Sequence, residues 1–479
     1  MISILSSKPV TYVAAAGDSR QRAALALLAA LCCGCVHYQP APLAPAASAS
    51  SFASRRLDDG PLLESVRQRL PQAQWPPASW DRAQLLAVAL ALNPELAVAR
   101  AQMREVGAHE VTASLWPNPD LLLESEYAIH DTHPWLYGLA LDWPVRSPGR
   151  RELALAAARL DTGRAQLELI EAAWSVRREL AEALSETERT QRRAQLLDRL
   201  RVAQQALLGA ERRRVEAGED PPAELVTAER ALIDIEQRQL EEHEHAARAC
   251  ADLARALGVP PEALSGIQTR WAEWGEPLPL AEAELGTRRE QALLSRTDLL
   301  ALIKDYARAE AQLHLAVKRQ YPELVLEPGY YWDHGIAKFP FNVGFTLPFD
   351  RNRGEIAEAR AARDLAAERM LALQARIHGE IAAAVRAESI ARDNVEAARR
   401  QLEAAQRQAR QVELGVRLGA LDTLERSGAQ IVALQAELAL LDLRSELQAA
   451  RNALEDGLRA PLSGPELALA AAISAGTSS

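Results

Sequence analysis

A chain of 479 residues with a net charge of -10 and no basic stripe interleaved with aromatics is a poor partner for DNA or RNA, which excludes broad nucleic-acid binding. Only 5% of it is aromatic, while Ala, Leu, Glu and Arg dominate, a composition of long helices rather than of a compact mixed core. It carries no phosphate-cradling loop, no zinc-type His and Glu spacing and no nucleophile elbow, so it reads as a non-enzyme without cofactor or metal.

Arg20 and Arg22 precede the apolar stretch Ala23 to Leu31, about nine residues and far short of the roughly 20 needed to span a bilayer. This predicts a cleaved secretory signal over 1–34. Leu31-Cys-Cys-Gly-Cys35 looks like a bacterial lipoprotein cleavage box, with small Gly34 before the cysteine and a polar, Pro-rich stretch after it. Acylation of Cys35 with a lipid-anchored tether over 35–80 is favoured over simple cleavage or buried cysteines. Cys250 is then the one remaining thiol, so no intramolecular disulfide or cysteine metal site can form.

A short helical pattern, Asp81 to Leu115, leads into the first of two windows, Trp116 to Val145 and Tyr321 to Phe349. Together they hold 13 of the 22 aromatic residues, and both alternate with period two. In the first, Leu121, Leu123, Tyr127 and Ile129 oppose Asp120, Glu124 and Glu126; then Trp135, Tyr137, Leu139, Leu141 and Trp143 oppose Gly138, Ala140 and Asp142. This predicts a β-hairpin over 119–144 with one greasy face, turning at Ile129 to His133.

Proline is then absent from Gly149 to Asp220, and Leu153, Leu160, Leu167 and Trp174 recur every seven residues, the spacing of packed helices. A helix over Arg151 to Val215 would be roughly 95 Å long. A break at 216–222 and a returning helix complete a first repeat over 81–260. After a linker, 261–280, the order recurs over 281–460. A helix spans Ala281 to Arg319, and a hairpin spans 323–349, where Leu324, Leu326, Tyr330, Trp332, Phe339, Phe341, Val343, Phe345, Leu347 and Phe349 form the greasy set. A second rod without proline follows, with its tip at 415–422 and a Leu440, Leu447, Leu454 heptad in the return helix. Trp143-Pro144 and Leu347-Pro348 put the copies about 204 residues apart, the mark of a duplication. A flexible tail is expected over 461–479.

Four strands of about 9 to 11 residues match the length of tilted transmembrane strands, with aromatics as interfacial girdles. Four strands cannot close a barrel, and open edges are not tolerated in hydrocarbon, so the chain must oligomerise. The membrane-facing set is Leu121, Leu123, Tyr127, Trp135, Tyr137, Trp143, Tyr330, Trp332, Phe339, Phe341 and Phe345. A soluble sheet packed on helices would alternate in the same way; the rods favour the membrane reading.

The opening segment Trp80 to Leu96, the paired hairpins, the Leu-Pro-Phe-Asp350 strand exit and the tips around Gly218 and Gly419 strongly resemble the TolC family of outer-membrane efflux proteins, over nearly the whole mature chain. The resemblance implies a mixed α and β membrane protein: a homotrimer with a 12-stranded β-barrel, four strands per subunit, on a long antiparallel coiled-coil helical tunnel in the periplasm of a Gram-negative bacterium. It implies contact with outer-membrane lipids, a periplasmic adaptor (membrane fusion) protein and an inner-membrane pump of RND or ABC type, in a passive conduit for small molecules or metal ions. The alternatives are a periplasmic coiled-coil scaffold lipoprotein and a protein-secretion channel.

By the same resemblance the adaptor docks at Val215, Gly218, Arg417, Leu418 and Gly419, and the acids Glu224, Asp422 and Glu425 ring the closed pore mouth. Gly428 stands where the family often has a second acid. Those acids could equally stabilise helix N-termini. The run Glu241-Glu-His-Glu-His245 reads as a solvated charged face, because His243 and His245 do not share a helix side. His130, His133 and His334 fall in exposed turns.

Overall fold

The computed structural model describes residues 37–71, 75, 77–130, 132–145, 149–347, 349–467 and 469. The expected signal and Cys35 lie outside them. The described residues divide into two compact units between Phe52 and Ala53. In the first, irregular residues 37–44 lead into helix α1 (Pro45–Ala53), which buries nothing. All that follows concerns the second.

Helix α2 (Gly60–Arg69) buries Leu62 and Val66, and Leu57 and Leu70 beside it join the main core. This part of the expected tether is therefore folded, because its leucines and valine recur at helical spacing. Helix α3 (Arg82–Leu92) starts at a reciprocal cap. The Asp81 carboxylate accepts from the Gln84 amide (2.8 Å), and the Gln84 side chain accepts from the Asp81 amide (2.9 Å). Nine of its eleven residues are buried, so it is a core helix rather than an amphipathic one.

The single leading helix expected in each copy is broken in both. Asn93 ends α3, and its side chain accepts from the Glu95 amide (2.9 Å) to start α4 (Pro94–Ser114) at a proline suited to the first helical position. In the second copy α7 (Glu282–Ser295) gives way to α8 (Thr297–Lys318) at Arg296, whose buried guanidinium donates to the Gly457 carbonyl (2.8 Å). Among the described residues no single helix is long and apolar enough to cross a membrane.

The rods are α5 (Arg150–Glu216) and α9 (Arg353–Arg417), 67 and 65 residues, returning through α6 (Pro222–Leu257) and α10 (Thr423–Leu458), both of 36. At 1.5 Å per residue α5 is about 100 Å long. Trp174, Leu440, Leu447 and Leu454 of the heptads are buried. The expected linker is also core, with Trp271 and Trp274 buried and the Trp274 indole donating to Ser185 Oγ (2.9 Å). Residues 461–467 and 469, expected in a flexible tail, instead pack inward, with Leu462, Glu466 and Leu469 buried.

The hairpins make one antiparallel sheet. Strand β1 (Asp120–Tyr127) pairs with β2 (Trp135–Val145), β2 with β3 (Leu324–Asp333), and β3 with β4 (Ile336–Lys338) and β5 (Phe341–Phe345). The last expected strand is thus split at Phe339 and Pro340, where a proline cannot donate to the ladder. It also stops at Phe345, so Leu347 and Phe349 fall beyond it. The split does not shift the register: the Gly329 amide donates to the Pro340 carbonyl (2.9 Å). The β3–β4 turn is His334-Gly335 with φ of 49° and 92°, the two-residue turn that matches strand twist.

Candidate conduit wall and docking tips

Cross-strand partners share a face, so the register decides which side chains lie together. Leu121 faces Leu141, Leu123 faces Leu139 and Tyr127 faces Trp135. Tyr137 faces Trp332, Leu139 faces Tyr330 and Trp143 faces Leu326. Leu324 faces Phe345, Leu326 faces Val343 and Pro328 faces Phe341. Phe339 lies against Tyr330, ring centroids 5.1 Å apart, and Tyr127 against Trp135 at 4.9 Å. The eleven side chains predicted to face the membrane therefore share one side of a sheet that runs through both repeats. All are exposed except half-buried Trp332.

The other side carries Asp120, Glu124, Glu126, Asp142, Glu327 and Asp333, with Lys338 as its one base, among the small residues Gly138, Ala140, Gly329 and Gly344. Leu122, Leu136, Pro144, Val325, Ile336 and Pro340 are its apolar exceptions, and Tyr331 lies on the same side.

At the far ends of the rods the chain reverses twice by one geometry. After α5, Gly218 takes φ 74°; its amide donates to the Val215 carbonyl (3.0 Å) and the Glu219 amide to the Arg214 carbonyl (2.9 Å). After α9, Gly419 takes φ 73° and the Ala420 amide donates to the Gly415 carbonyl (2.9 Å). Val215 is half-buried, whereas Gly218, Arg417, Leu418 and Gly419 are exposed, and Leu418 presents 74% of its surface. The Arg417 guanidinium donates back to Glu413 (3.2 Å).

The predicted pore-mouth acids sit at helix starts. Glu224 is exposed in the first turn of α6. Asp422 caps α10, accepting from the amides of Leu424 (2.8 Å) and Glu425 (3.0 Å), while Glu425 accepts from the Asp422 amide (2.7 Å). Two of the three therefore serve a helix N-terminus within the subunit. Arg214, which the sequence pattern did not single out, joins the tips by donating to Asp220 Oδ2 (2.5 Å) and Asp422 Oδ2 (2.8 Å). Backbone amides and Arg214 hold the Asp422 carboxyl below its ordinary range.

A buried charge cluster was likewise invisible to spacing. Arg177 contacts Glu455 (2.5 Å) and Glu466 (2.6 Å), and Arg82 reaches Glu466 (2.6 Å) and lies 4.4 Å from the ring centre of Trp271. Burial alone would raise the Glu466 carboxyl, but Arg177 and Arg82 outweigh it and hold it down at about 2. The run 241–245 departs from its expected solvation at Glu242, which is buried against Arg189 (3.4 Å) and Arg193 (3.2 Å); His243 and His245 are exposed. His334 Nδ1 lies 2.7 Å from the His133 carbonyl, tying the two turns. Among the described residues no group of three or more His, Cys, Asp or Glu is set to hold a metal ion.

These elements can be compared with known proteins. No curated relative matches the chain significantly in sequence. Solved structures do share its fold. The outer-membrane channel OprN is 19% identical, with a TM-score of 0.66 over 89% of this chain and 99% of that one. The outer membrane protein VceC from Vibrio cholerae is 18% identical, 0.65 over 80% and 97%. A membrane protein from Pseudomonas aeruginosa is 18% identical, 0.66 over 79% and 90%. The family model for outer membrane efflux proteins matches residues 85–259 and 289–458, two segments that start 204 residues apart, the spacing of the duplication. With most of its length matched in this way, the chain belongs to the outer membrane efflux protein family and is an efflux channel protein of the outer membrane.

Proposed function

We propose that three copies close their sheets into a 12-stranded barrel, whose acidic face lines a passive, non-catalytic conduit and whose greasy face meets outer-membrane lipid. One observation carries this reading: an apolar face continuous across four strands, on a sheet whose outer strands each have one unpaired edge among the described residues. In hydrocarbon each unpaired backbone group costs several kcal/mol, so the edges must find partners, and a second and third copy supply them. The rods extend the conduit into the periplasm. There the tips at Val215, Gly218, Arg417, Leu418 and Gly419 receive a periplasmic adaptor coupled to an inner-membrane pump of RND or ABC type. Exposed Leu418 supports the docking role, since an apolar side chain at a turn has surface to bury in a partner.

After removal of a signal over 1–34, Cys35 carries the lipid anchor. The acidic inner face favours cations, metal ions among them, over anions. Conductance of the purified protein in a planar bilayer tests the conduit: discrete steps are expected. A protein that gives none, and that stays soluble without detergent as a Cys35→Ser variant, would be a periplasmic scaffold instead.

A further inference from the structure

On the polar side of the sheet, Tyr331 pairs in register with Gly138 on one flank and Lys338 on the other. Its ring lies over both Gly138 and Gly329. A methyl group built on Gly138 would overlap the ring edge at Cδ1, 2.7 Å from Cγ and from Cε1, and one on Gly329 would lie 2.9 Å from Cε2. Neither glycine has positive φ, so backbone conformation does not demand glycine at either position. Interior glycine weakens a strand, and what it provides here is room for close approach. Glu124 occupies the same cross-strand row through Gly138, on the same side of the sheet as Tyr331. The ring therefore lies in a recess that the two glycines leave beneath it.

We propose that Gly138 and Gly329 form a recess that keeps Tyr331 against the inner wall and so set the bore of the conduit at that height, an inference that rests on the reading above. With threefold symmetry, three rings share one level. Filling the recess would turn all three toward the axis at once, which makes Gly138 a determinant of how large a solute passes.

The test compares single-channel conductance of purified full-length wild type, Gly138→Ala, Tyr331→Ala and the double variant in planar bilayers. Gly138→Ala should lower conductance by roughly a third to a half, because ion flow follows the open cross-section. Tyr331→Ala should conduct nearly as the wild type does, since its ring is already out of the bore, and the double variant should recover the wild-type value. An unchanged Gly138→Ala, a double variant that stays low, or a large rise in Tyr331→Ala would each overturn the recess. Should Gly138→Ala fail to assemble, Gly329→Ala replaces it and Tyr331→Ala still decides. A wild type that does not conduct sinks the conduit reading itself, whereas a conducting wild type with the wrong variant pattern sinks only the recess.

Discussion

Arg214, two residues before the end of the first rod, donates from Nη1 to Oδ2 of Asp422, the capping residue of the second return helix, at 2.8 Å. One guanidinium thus links the tips of both repeats, with Asp220 as its second partner. The pair is partly exposed, so its effect on global stability should be small. Its expected effect is local: Arg214→Ala should speed amide hydrogen exchange at 217–221 and 419–423 while leaving the melting temperature unchanged. Equal protection at both tips in the variant would show that the link does not restrain them.

Glu466 predicts a larger, global effect. Removing it leaves Arg82 and Arg177 buried with one carboxylate between them, and breaking a buried pair in this way costs about 3–5 kcal/mol. Glu466→Ala should lower the urea midpoint accordingly at neutral pH. The pH dependence has a definite sign: the folded carboxyl sits at about 2, below its ordinary value, so its contribution is present above the usual carboxylate range and is lost as pH falls through it. The gap between wild type and variant should narrow in strong acid. A constant gap would assign the loss to packing.

The two sides of the sheet should respond oppositely to charge. Leu123→Arg places a cation on the greasy face, which costs about 2–4 kcal/mol near a bilayer midplane, while Asn342→Arg on the polar face should be tolerated. The yield of membrane-inserted oligomer reads both. Equal tolerance would mean that the greasy face does not meet lipid.

Asp120 and Asp142 stand directly opposite each other on the polar face. Like charges in that position weaken a sheet, and two carboxylates on the proposed inner wall would favour cations. The paired change Asp120→Asn with Asp142→Asn should move the reversal potential in a salt gradient toward zero. An unchanged potential would place selection elsewhere, with the tips as the next candidates.

Much of this architecture is readable in the residues. The absence of proline from 149 to 220 and the period-two aromatics are local properties, and they mark α5 and the hairpins directly. The break at Asn93-Pro94 is also local, but its counterpart at Arg296 has no proline or glycine and arises because that guanidinium reaches Gly457 far along the chain. Pro340 was plain in the sequence yet hidden by the alternation around it. Glu466 was illegible, since a glutamate in a Ser, Gly and Pro-rich segment signals a solvated tail until two distant arginines are placed beside it. The same limit applies to Arg214 and Asp422, which meet only when the two repeats align. The Tyr331 recess needed the register of β2 on β3, which no single-strand pattern contains.

The proposed channel requires that one copy of the sheet be completed by others. Subunit stoichiometry of the detergent-purified full chain, measured by native mass spectrometry, tests it most directly. Three chains per particle are expected, with no folded monomer once detergent is withdrawn. A monodisperse, water-soluble monomer of the Cys35→Ser chain, with Leu123 and Phe341 shielded from solvent, would contradict it.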